Sequence, residues 1–150
     1  MPRPATVRPA LERAQTSDLV LDVRPAHAVP GPTRALEPLF YRGVTVHLPA
    51  DLVRAPLPTL TFRHLDKVGR AAMGGRRDRV VAALQRAVAS AHDVASLLKI
   101  AVVALGEGAI EEVTAALSRA WRTAQRDPEA LEIIREAAKA LGQPIPGEPA

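Results

Sequence analysis

Cysteine is absent from the 150-residue chain. That excludes disulfide staples, thiolate nucleophiles and thiolate-held zinc, and it fits a reducing compartment, the cytoplasm in the simplest case. Aromatic residues are scarce: Phe40, Tyr41, Phe62 and Trp121 are the whole set, too few for a series of base-stacking platforms. Long apolar runs are missing as well. The most apolar window, Val94 to Leu105, spans 12 residues and contains Lys99, short of the roughly 20 apolar residues that a membrane span requires. Arg3, Arg8 and Arg13 near the start have no apolar run behind them, so the pattern of a secretory signal is not met. The expectation is a cytoplasmic protein with no membrane role. Lysine is rare too, with three against 17 arginines, as a GC-rich coding bias would produce, so the number of arginines says less than where they stand.

Their placement is uneven. Residues 63–86 carry seven basic and two acidic groups, whereas residues 107–150 carry five basic and eight acidic ones. The net charge of +4 thus conceals a basic hub followed by an acidic end, an asymmetry that points to an anionic partner. The hub consists of Arg63, Lys67, Arg70, Arg76, Arg77, Arg79 and Arg86, interrupted by Asp66 and Asp78. Arg76 and Arg77 follow Gly74-Gly75, where a helix is expected to begin and its free backbone N–H groups favour an anion. The candidate site for nucleic acid or another anion is therefore Arg63, Lys67, Arg70, Arg76, Arg77 and Arg79. The alternative for the same charges is a solvated face.

Proline divides the chain. Ten prolines lie between Pro2 and Pro58, and each disfavours helix just before it, so long helices are expected only after residue 62. A short helix is expected over 9–15. Alternating apolar residues predict strands at 19–23, 44–48 and 59–62. The stretch from Arg24 to Pro38 reads as an irregular loop. From Leu65 the period becomes helical. A helix over 65–73 ends at Gly74-Gly75, and an apolar stripe then runs from Arg76 to Leu105. That stripe is either one helix or two, with Ser90 or Asp93 as the cap of the second. Helices over 109–126 and 128–141 follow, separated by Asp127 as N-cap and Pro128 in the first turn. They are expected to pack together around Leu117, Trp121, Leu131 and Ile134. The fold class is α+β, a small Pro-rich β segment followed by a bundle of three to five helices. The expected layout is a tail with a short helix over 1–17, a β segment over 18–63, the bundle over 64–142 and a Pro-rich tail over 143–150.

Motifs that would carry chemistry fail on spacing. GRAAMGGRR over 69–77 lacks the Lys-Ser/Thr pair of a phosphate loop, and Gly106-Glu107-Gly108 follows a helical pattern, not the strand of a dinucleotide site. His27, His47, His64 and His92 are scattered with no partner at ligand spacing, and Ser90, His92 and Asp93 project in different directions from a helix. Glu111-Glu112 and Glu132 with Glu136 read as solvated helix charge. A helix-turn-helix over the glycine turn puts glycine or Arg70 where packing residues belong. A tetratricopeptide unit is rejected because Ile110 to Gln125 is one stripe without a turn. No enzyme, metal or cofactor is expected. Two classes of function stand: a binding or regulatory protein that holds DNA or RNA by phosphate contacts through the hub, and an assembly or adaptor subunit whose Ala-rich helix faces meet protein partners, including copies of itself.

Overall fold

The computed structural model describes residues 35–146. The helix expected over 9–15 and the strand over 19–23 lie outside them, as do residues 147–150. The described chain begins with a hairpin. Strand β1 (Leu36–Tyr41) pairs antiparallel with β2 (Val44–Pro49), in the register Tyr41 opposite Val44 through Leu36 opposite Pro49. Arg42 and Gly43 both have positive φ, 48° and 89°, the two-residue turn whose twist suits a hairpin. In this register Pro38 falls at a position whose N–H would point to the open edge, so no ladder bond is lost.

Six helices follow. They are α1 (Ala50–Arg54), α2 (Thr59–Met73), α3 (Arg77–Ser90), α4 (Val94–Gly106), α5 (Ile110–Thr123) and α6 (Pro128–Ala140). The architecture is α+β with a helical C-terminal region, as the residue pattern implies. Two expectations are corrected. The strand over 59–62 is the first turn of α2. Thr61 is buried while Leu60 and Phe62 are 51% and 58% exposed, the reverse of what a half-buried strand would show, because Thr61, Val68 and Ala71 share the inner stripe of a helix. The loop expected up to Pro38 contains the start of β1.

The stripe from Arg76 to Leu105 is two helices. Asp93 caps the second, its carboxylate accepting the Ser96 N–H at 2.9 Å. At the C-terminal end of α3, Arg119 Nε donates to the Ala91 carbonyl at 2.9 Å. Asp93→Ala is expected to lower stability by about 1–2 kcal/mol, while Asp93→Asn, which can cap equally well, stays within a few tenths. Urea midpoints of the two variants check this, and equal losses would show that the cap contributes nothing. The α5–α6 boundary falls at Asp127, which accepts the Ala130 N–H at 3.1 Å, with Pro128 in the first turn. Leu117 and Ile134 are fully buried, and Arg135 returns from α6 over the Trp121 ring at 5.8 Å.

Helix α4 is the centre of the unit. It is apolar on all sides, nearly every residue from Ala95 to Ala104 is buried, and it touches both strands and helices α2, α3, α5 and α6. A helix that is hydrophobic all round has this place in a fold. Its one cation, Lys99, is buried and donates to the Ala55 carbonyl, which ties the α1–α2 connection to the core. Burial holds the Lys99 ammonium below the usual lysine range. The alanines of these helices contribute heavily to the interior: Ala83, Ala87, Ala101, Ala104, Ala116, Ala120, Ala137 and Ala138 all belong to one core.

Candidate functional site

Helix α2 carries Arg63, Lys67 and Arg70 at steps of four and three, so they share one stripe. The helix ends in a left-handed residue, Gly75 with φ 69°. Two reversed hydrogen bonds form there: Gly75 N–H to the Ala72 carbonyl and Arg76 N–H to the Ala71 carbonyl at 2.9 Å. This terminus turns the chain back at once, and α3 returns beside α2. Lys67 and Arg70 of α2 line one groove with Arg79 and Arg86 of α3, so the two helices run alongside each other. A helix-turn-helix would splay them instead.

Between them lies a groove of about 580 Å³ lined by Lys67, Arg70, Ala71, Arg76, Asp78, Arg79, Ala82, Ala83 and Arg86. Its logic is visible in the residue types. Alanines form the floor, where larger side chains would fill the seam, and five cations from both helices form the walls. One lining carboxylate, Asp78, opposes them. Asp66 sits outside the lining and pairs with Arg70 at 3.1 Å; both groups are well exposed, so the pair contributes little to stability.

Of the six residues named from sequence, Lys67, Arg70, Arg76 and Arg79 line this groove. Arg63 continues the α2 stripe one turn before Lys67 but is not part of the lining. Arg77 leaves the group: its guanidinium donates to the backbone carbonyls of Glu107 and, at 3.0 Å, Gly108. It thereby serves the turn between α4 and α5, and a separate cavity of about 160 Å³ lies beside it against Gly75, Val80 and Glu107. Arg86 joins the groove although the sequence reading placed it only in the wider hub; its spacing of seven from Arg79 was the available signal.

His64 stands on α2 outside the lining of this groove. Its Nδ1 is buried and has no hydrogen-bond partner. Burial, then the charges of Lys67 and Arg86, hold its imidazolium below the usual histidine range. The consequence for folding follows from linkage. The unfolded chain binds a proton at His64 more readily than the folded one, so this contribution is complete above about pH 6.5 and is lost as pH falls toward the folded value.

A second cluster holds the hairpin on the helices. The Glu107 side chain is 7% exposed and accepts a hydrogen bond from the Tyr41 hydroxyl and one from Arg42 at 3.1 Å. Burial and the Glu107 carboxylate raise the Tyr41 phenol above its ordinary range. Glu112, expected among solvated charges, is instead buried, with Gln85 donating to it at 3.4 Å. Among the described residues no group of three His, Cys, Asp or Glu is placed to hold a metal ion, and no helix is long and apolar enough to cross a membrane. Comparisons with protein families, with curated proteins and with solved structures find no match to the chain.

Proposed function

We propose that this chain is a non-catalytic nucleic-acid-binding protein that holds DNA or RNA by its phosphates in the α2–α3 groove. The observation that carries the reading is the pair of cationic walls, Lys67 and Arg70 facing Arg76, Arg79 and Arg86 across an alanine floor. A phosphodiester strand in such a furrow has its charge neutralised from two sides, with counterion release as the driving force. The lining has no aromatic side chain to stack a base, and its cations suit phosphates first, so binding is mainly by backbone and only weakly dependent on sequence.

Fluorescence anisotropy with labelled oligo(dT) and a mixed-sequence duplex tests the reading. Binding should weaken steeply between about 50 and 200 mM salt and vary little with sequence. Absence of binding at the lower salt sinks it.

A second reading, an assembly subunit with protein partners or further copies of this chain, is favoured by a different surface. Leu36 and Phe40 are 59% and 70% exposed on the same face of β1, and exposed apolar side chains of this size mark contact surfaces. Under that reading Phe40→Asp disperses an assembly seen by light scattering, and nucleic-acid binding is unchanged.

A further inference from the structure

We propose that the α2–α3 groove selects single-stranded over double-stranded nucleic acid. The inference rests on the nucleic-acid reading of the groove and names its substrate class. Its basis is the shape of the lining. Lys67 and Arg70 stand on α2, Arg79 and Arg86 on α3, and Ala82 and Ala83 lie in the floor between them. The walls are whole helices, joined by the tight reversal at Gly75 and packed against each other. A strand seated on the floor therefore has a helix on either side of it.

That arrangement fits one strand and conflicts with two. In a duplex each backbone is a ridge, with the major groove, about 12 Å wide, on one side and the minor groove, about 6 Å wide, on the other. A helix with its side chains is about 10–12 Å across. With a duplex backbone on the alanine floor, one helix could enter the major groove, but its neighbour would have to enter a minor groove about half its width. The duplex is held at the rim instead, where it cannot engage both walls. A single strand has no second backbone to collide with. It lies along the seam with its phosphates between the walls and its bases turned to solvent, which needs no stacking partner. Charge alone gives the opposite order: a duplex presents one charge per about 1.7 Å of its axis against about 3.4 Å for one strand, so a protein that only attracts polyanions holds the duplex more tightly.

Competition against labelled oligo(dT) at about 50 mM salt tests the inference. The competitors are an unstructured mixed-sequence strand and the duplex it forms with its complement, compared at equal nucleotide concentration. Each phosphate contact forgone costs about tenfold at this salt, so the strand should compete at least about tenfold better than the duplex. Ala82→Leu fills the floor at a half-buried helix position and leaves every charge in place; it should bring the affinity for the strand down to that for the duplex and leave the duplex unaffected. The comparison of the two competitors on the wild type needs no variant and stands if Ala82→Leu does not fold. A duplex that competes as well as the strand or better, or an Ala82→Leu protein that keeps the wild-type preference, overturns the inference and leaves the groove standing. No salt-sensitive binding of either form overturns both.

Discussion

Lys67→Glu with Arg79→Glu should abolish measurable oligonucleotide binding at moderate salt, a loss of about a hundredfold or more, or roughly 2.7 kcal/mol. The two positions lie on opposite walls of the groove, so the double reversal repels a strand from both sides. Folding should be nearly unaffected, because both side chains are exposed and surface charges contribute under about 1 kcal/mol. Anisotropy and a thermal melt on the same sample separate the two outcomes. Retained affinity with an intact melt would move the binding surface elsewhere, and lost affinity with a collapsed melt would show that the charges hold the hairpin together.

The second large effect belongs to the fold. Gly106→Ala should cost about 2–4 kcal/mol, a fall in Tm of roughly 6–15 °C. A Cβ at this last residue of α4 would meet the Tyr41 ring at 2.5 Å and the Tyr41 carbonyl oxygen at 2.8 Å. A ring can turn away, but a backbone oxygen moves only with the whole hairpin. The displaced Tyr41 and Arg42 would also abandon Glu107, leaving a nearly buried carboxylate unpaired. Ordinary helix propensity gives the opposite expectation, a gain of about 1 kcal/mol on replacing glycine by alanine. A raised Tm would therefore show that the close approach of Tyr41 does not govern this position.

What could be read from the sequence divides along a physical line. Local signals were sufficient where one residue type settles the backbone: Asp127-Pro128 marks a helix start, Gly74-Gly75 a helix end, and Val44, Val46 and Leu48 alternate as a strand does. Thr59 to Phe62 shows the limit. Four alternating residues also fit one turn of helix, and Pro58, which sits at the N-cap of α2, was read as a helix breaker when it is a helix start. Strand β1 escaped notice because Pro38 interrupts it and its turn is Arg42-Gly43, lacking the Asn or Asp that usually announces such a hairpin.

The candidate site was legible as charge and illegible as geometry. Arg76 and Arg77 are neighbours in sequence, and only packing decides that one faces the groove and the other the carbonyls of the α4–α5 turn. The alanine floor has no sequence signature, since the same alanines read equally well as a surface for other proteins.

The central claim is that position, not total charge, makes the groove a phosphate site. It is tested most directly by the salt dependence of oligo(dT) affinity in two double variants of equal net charge, Arg79→Ala with Arg86→Ala inside the groove and Arg122→Ala with Arg126→Ala on and just after α5. The groove variant should lose affinity and flatten the slope of log affinity against log salt by about 1–2, while the α5 variant keeps the wild-type slope. Equal flattening in both would mean that the protein attracts polyanions through its net charge alone, and the groove would be a solvated face between two arginine-rich helices.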